Sequence, residues 1–276
     1  MKGKERILMT EWPEMLNFVF EKSEFCSLIL NRMRMFTLLA YMLLLWGCHG
    51  IPAEAPAKEP VYEPMEHGGL LYREYANRCN ESERPALVIY LHSKHSSGND
   101  NQKQLEQTAV HDIGNYISKN QIPAYFLVPQ CPEDHEWDAR DNSPGLTDKA
   151  ENQITQYLGT KNIDVGRIYI LGASMGACGV WRLVKDNPEM FAAAFVASGQ
   201  SQRAYPSDFT TVPLYVTVGS QERSYEALKW FTSEITKAGG KVQFDILLGQ
   251  RHSDACDNAF TSKRLKWLFS QVNSND

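Results

Sequence analysis

Arg167-Ile-Tyr-Ile-Leu-Gly-Ala-Ser-Met-Gly-Ala-Cys-Gly-Val-Trp181 packs an apolar strand, a G-x-S-x-G turn and the start of a helix into one short stretch. Strand, sharp turn, helix is the repeating unit of an α/β domain. Ser174 stands at the apex of the turn, where its hydroxyl is lifted clear of the sheet. Gly172 and Gly176 flank it at positions where a β-carbon would crowd the turn. The bare pattern is weak, because three positions each at roughly 7% usage recur by chance in roughly one chain in ten of this length. The weight comes from what surrounds it.

Working outward, apolar runs alternate with helical patterns. Strands are expected at 70–75, 86–92, 124–129, 167–172, 192–197, 214–219 and 242–248, several as continuous apolar runs, as for strands buried on both faces. Helices are expected near 102–119, 147–159, 175–186, 225–238 and 258–272. In the fourth of these Leu228, Phe231 and Ile235 recur at helical spacing, and Gly239-Gly240 stops it. The alternation predicts an α/β fold with a mostly parallel sheet and helices on both faces. In such sheets ligands bind at the carboxyl ends of the strands, so informative residues should sit just after them.

Composition narrows the classes. The chain has 276 residues, 43% of them hydrophobic and 22% charged, enough to bury a full core. A formal charge of −5 with no basic face argues against nucleic acid as a partner. Residues 32–48 combine a basic flank, an apolar core of roughly 13 residues and a small residue before Cys48, which is a signal peptide by shape and short for a permanent span. Leu45-Trp46-Gly47-Cys48 resembles a lipobox, in which the cysteine is lipidated, although Trp46 stands where a small residue is usual. Residues before this segment form no sensible leader, and Met33 or Met35 is a better start. The domain plan is therefore 1–48 as extension and lipoprotein signal, 49–66 as a Pro-, Ala- and Glu-rich tether, and 67–276 as the α/β domain. The expected location is exported and membrane-anchored, periplasmic or at the cell surface.

A serine hydroxyl is a poor nucleophile until a base takes its proton, and the base must be oriented by a third group. Glu222 lies in the loop after the strand 214–219, and His252 lies just beyond the last strand. Ser174 as nucleophile, His252 as general base and Glu222 as orienting acid form a coherent set. Asp245 falls inside a strand and Asp254 follows His252 too closely to reach its ring. An oxyanion site needs two backbone N–H donors. Met175, directly after the serine at a helix N-terminus, is one; the other belongs to the loop after strand 86–92, which begins His92-Ser93-Lys94.

At these residues the chain resembles a family. His92, Gly98, Asn99-Asp100-Asn101, Pro129-Gln130-Cys131-Pro132, Trp137, the elbow, Trp181-Arg182-Leu183, 188–193 and Gly199 look like the α/β-hydrolase esterases of the polyhydroxybutyrate-depolymerase and feruloyl- or acetylxylan-esterase type, with a prolyl-oligopeptidase-like catalytic domain. The order Ser, acid, His is that of α/β-hydrolases. The resemblance spans roughly residues 68–270. It implies hydrolysis of carboxylic esters through an acyl-enzyme, a small-molecule or polysaccharide ester as substrate, and no cofactor. Ser93 stands where the family has glycine, so the second oxyanion donor, Ser93 N–H, is displaced from the usual pattern. Glu222 replaces the commoner aspartate, and Ala177-Cys178 replaces a glycine-rich continuation.

Other features have plainer readings beside functional ones. Trp137 either lines an acyl pocket or anchors a loop. Cys178 and Cys256 each lie four residues after a triad member, and a bridge between them is one of three connectivities open to the four domain cysteines. The spacing of His92, His95, His111 and His135 matches no compact zinc signature, so no metal site is expected. A prolyl-oligopeptidase-type peptidase would need a propeller-sized region before residue 68. A non-catalytic surface lipoprotein on a hydrolase fold remains the reading of a different class.

Overall fold

A computed structural model describes residues 58–79, 84–139, 145–201 and 203–273. The leader-like segment, Cys48 and the first part of the tether lie outside the described residues. Among the described residues eight strands form one sheet: β1 Glu63–His67, β2 Leu70–Asn77, β3 Ala86–Leu91, β4 Ala124–Pro129, β5 Ile168–Ala173, β6 Ala193–Ala197, β7 Leu214–Gly219 and β8 Val242–Leu247, in the order β1-β2-β4-β3-β5-β6-β7-β8. β2 pairs antiparallel with β1 and with β4. From β4 to β8 every neighbouring pair is parallel.

β3, β5, β6 and β7 are buried along their whole length. Parallel strands covered on both faces have no solvent side, which is why Ala86-Leu-Val-Ile-Tyr-Leu91 shows no polar alternation. The pleat still sorts their side chains by face. Among the described residues six α-helices cover the sheet: α1 Thr108–Lys119, α2 Thr147–Thr160, α3 Met175–Asp186, α4 Tyr225–Lys237, α5 His252–Asp257 and α6 Ser262–Phe269. On one face Ile154 and Tyr157 of α2, Val180 and Trp181 of α3, and Leu228 and Ile235 of α4 pack with Leu87, Ile89, Ile170 and Val216. On the other, Ile113 and Ile117 of α1 and Leu265 and Leu268 of α6 pack with Val88, Tyr90, Tyr169 and Phe195.

Three expectations need correction. The expected helix 102–119 is a 3-10 turn, Lys103–Glu106, followed by α1. The segment after β8 holds two helices, α5 and the short α6, where one helix from 258 was expected. The third correction concerns the tether. Within 49–66, β1 pairs with β2, Tyr62 donates its hydroxyl to Val110 O at 3.1 Å, and Ser118 Oγ donates to Lys58 O at 2.6 Å. The Tyr62 ring lies 5.7 Å from Tyr75 and 6.1 Å from Phe126. The Pro- and Glu-rich composition conceals one aromatic anchor and an edge strand, so residues 58–66 belong to the domain.

The contact that places the elbow is between backbones. A β-carbon on Gly176 would lie 1.8 Å from Leu91 O, and one on Gly172 would lie 2.6 Å from Gly176 O. Helix α3 therefore starts against the end of β3, the strand that leads into the Ser93 loop. Gly176→Ala is expected to lower the unfolding free energy by about 1–3 kcal/mol, read as an earlier midpoint in urea; an unchanged midpoint would contradict this packing.

Candidate active site

Ser174 follows β5, and its backbone has φ 55° and ψ −113°. A non-glycine residue held there is strained by roughly 1–3 kcal/mol. Ser174 N–H donates to Ala197 O at 2.8 Å, which fastens the turn to the end of β6. The strain turns the side chain away from the sheet, half-buried and facing the carboxyl ends of the later strands.

His252 is the first residue of α5, right after β8, and its side chain is 52% exposed, whereas that of Glu222 is 2% exposed. His252 Nε2 lies 2.8 Å from Ser174 Oγ, and Nδ1 lies 2.7 Å from Glu222 Oε2. An ionised carboxylate only accepts, so Nδ1 bears the proton and Nε2 offers a lone pair to the serine hydroxyl. Glu222 Oε1 accepts from Ser198 Oγ and from Gly219 N–H, each at 2.7 Å, and Ser224 Oγ approaches Oε2 at 3.3 Å. Burial pushes the Glu222 carboxyl up, but the hydrogen bonds from His252, Ser198 and Gly219 outweigh it and hold the group below the usual glutamate range. The bond to Glu222 raises His252 above the ordinary histidine value, against a smaller effect of burial.

Asp245 is occupied elsewhere, accepting from Tyr215 OH at 2.7 Å and from Arg264 Nε at 2.9 Å. Asp254 accepts from Arg251 N–H at the start of its own helix. Ser198 was not anticipated. It sits just after β6, so the strand-end rule that pointed to Glu222 would have found it.

The loop after β3 is wired to the loop after β4. Fully buried His92 accepts from Cys131 N–H on Nε2 at 2.9 Å, and its Nδ1 lies 2.7 Å from Ser93 O. Burial pushes its pKa down to about 4, so it is a neutral structural group. Gln130 links Asp100 and Asn101, with Gln130 Nε2 donating to Asp100 Oδ1 at 2.8 Å and Oε1 accepting from Asn101 N–H at 2.6 Å. Trp137 has no exposed surface. Its indole N–H donates to His92 O at 2.9 Å and its ring meets the His92 ring edge-on. The pocket-lining alternative for Trp137 is thereby set aside: the residue anchors the loop.

Two cavities adjoin Ser174 and His252. One of about 430 Å³ is lined by Tyr90, Ser93, Gln107, Cys256 and Asp257, among others. The other, of about 320 Å³, is lined by Lys94, Glu136, Met175, Cys178 and Gln200, among others. Met175 N–H belongs to the first turn of α3, whose N–H groups have no partner within the helix. Ser93 is nearly buried, and its N–H points at Gln107 Oε1, 3.4 Å away. None of Cys79, Cys131, Cys178 and Cys256 is in a disulfide. The bridge considered between Cys178 and Cys256 is therefore not formed. The arrangement can generate a nucleophilic alkoxide at Ser174 by transfer of its proton to His252.

No family model matches the chain, and no curated protein matches it. Solved structures do. A thermostable esterase superposes with a TM-score of 0.68 at 22% identity, covering 78% of this chain and 64% of the esterase. A ferulic acid esterase gives 0.60 at 14% identity, covering 76% of this chain and 97% of its own. An S-formylglutathione hydrolase of Staphylococcus aureus gives 0.59 at 14% identity, covering 77% and 100%. This chain thus spans about two thirds of the thermostable esterase and nearly all of the other two. The sheet order and these superpositions show the α/β-hydrolase fold.

Since a carboxylate at Nδ1 stabilises the imidazolium, Glu222→Gln is expected to move the His252 titration midpoint downward. Imidazole NMR signals followed against pH read this directly. An identical midpoint in wild type and variant would mean that the Glu222–His252 bond is not made in solution.

Proposed function

We propose that the protein is a serine hydrolase that cleaves carboxylic esters through an acyl-enzyme. The observation that carries this reading is the unbroken hydrogen-bond line from Ser174 Oγ to His252 Nε2 at 2.8 Å and from His252 Nδ1 to Glu222 at 2.7 Å, set on a positive-φ turn. The names of the superposed esterases support it.

Ser174 Oγ attacks the ester carbonyl while His252 Nε2 takes its proton, and Glu222 stabilises the resulting imidazolium. Met175 N–H and Ser93 N–H hold the tetrahedral oxyanion. The intermediate collapses, breaking the bond to the alcohol oxygen, which receives the proton from His252. Water then attacks the acyl-enzyme with the same base, and the carboxylic acid leaves as Ser174 regains its proton. Cavities of about 430 and 320 Å³ that adjoin Ser174 offer room for the acyl and alcohol parts. The substrate is a small-molecule ester or an acyl group on a polysaccharide, a reading supported by the ferulic acid esterase among the neighbours and by the leader-like segment before residue 48.

Ser174→Ala is expected to reduce turnover of a p-nitrophenyl ester by at least about 10⁴-fold without moving the unfolding midpoint, and to abolish labelling by a fluorophosphonate. Labelling that survives the substitution would refute the assignment, and a preference for peptides over esters would refute the reaction class. For the anchor, palmitate incorporation in a bacterial host should be lost on Cys48→Ala; a wild-type chain that takes up no palmitate would remove the lipoprotein reading.

A further inference from the structure

The second oxyanion donor is already engaged in the free protein. Ser93 N–H donates to Gln107 Oε1 at 3.4 Å, and Tyr90 OH donates to the same oxygen at 2.7 Å. Gln107 Nε2 in turn donates to Ser93 Oγ. The orientation of this carboxamide is dictated by its neighbours, because the reverse one would set Nε2 against the Ser93 N–H, donor against donor. Tyr90 is fully buried, and burial keeps its phenol protonated, so it remains a donor.

An amide N–H has one direction. An oxyanion held by Ser93 N–H must sit within about 3 Å along that direction, and Gln107 Oε1 stands there. Gln107 and Ser93 line the same cavity as Ser174 and His252, the space offered to an arriving substrate carbonyl. We propose that Gln107 gates the oxyanion site: its carboxamide oxygen covers Ser93 N–H in the free protein and gives way to the ester carbonyl. The inference rests on Ser174 being the nucleophile. The bond to be exchanged is long, and a bond from the same N–H to a developing oxyanion is shorter and stronger. Tyr90 OH opposes the exchange by holding the carboxamide in place. The hydroxyl of Ser93, where the resembled family has glycine, gives Gln107 its second hold, so these two residues act together.

The gate makes a prediction opposite in sign to that of a supporting residue. The competent population limits apparent affinity, and a hydrogen bond of ordinary net strength sets that limit. In the full-length protein, Gln107→Ala is expected to lower KM for p-nitrophenyl acetate by about threefold to tenfold while kcat stays within about twofold. Tyr90→Phe, which leaves α1 untouched, should lower KM in the same direction by about twofold. A raised or unchanged KM in folded Gln107→Ala, or a loss of kcat, overturns the gate; if that variant does not fold, Tyr90→Phe decides by the same criterion. Fluorophosphonate labelling of the wild type separates the two readings. An active, labelled wild type with unimproved variants defeats the gate alone, whereas a wild type neither labelled at Ser174 nor active defeats the catalytic reading and the gate with it.

Discussion

The approach of Gly176 to Leu91 O, too close for any β-carbon, is the constraint on which the site depends. It brings the start of α3 against the end of β3, so the turn between β5 and α3 has no room to relax. Ser174 takes up the strain as a positive φ, and the strain directs its side chain outward. The same contact sets the first N–H groups of α3 beside the loop that begins at His92. The proposed nucleophile and oxyanion donors are thus positioned by one backbone packing event, which leaves no room for a side chain at Gly172 or Gly176.

A second requirement is to keep a nearly buried carboxylate charged. Glu222 would resist ionisation if it were buried alone. Ser198 Oγ, Gly219 N–H and the His252 ring surround it with donors, and the result is a carboxylate that stays ionised and orients an exposed histidine. The three supporting groups come from the ends of β6, β7 and β8. Parallel strand order therefore matters for electrostatics as well as for shape, since it gathers residues remote in sequence around one charge.

The loops around Ser174 divide into a rigid part and an adjustable part. His92, Gln130, Asn101 and Trp137 form a buried hydrogen-bonded brace between the loops after β3 and β4. Gln107, half-buried at the start of α1, faces the cavity and has a weaker hold on Ser93 N–H. A site built this way holds its scaffold fixed and concentrates adjustment in one side chain.

The strands 124–129 and 214–219 and the helix 175–186 were legible in the sequence to their last residues, because continuous apolar runs and helical spacing report burial directly. The order of Ser174, Glu222 and His252 at strand ends was legible for the same reason, as topology places such residues at one edge of a parallel sheet. β1 was not legible, because a short edge strand rich in Pro and Glu buries too little to leave a pattern. The division of the last helical region into α5 and α6 was hidden because α5 is too short to show a period. The amino-acid sequence by itself determined the fold class and the residue types able to perform nucleophilic chemistry, since both follow from local pattern and chain order. Only the tertiary structure decided that Ser198 supports Glu222, that Trp137 braces His92 instead of lining a pocket, that Cys178 and Cys256 remain thiols, and that Gln107 covers Ser93 N–H. Each of these depends on residues distant in the chain and is fixed by which loops the sheet brings together.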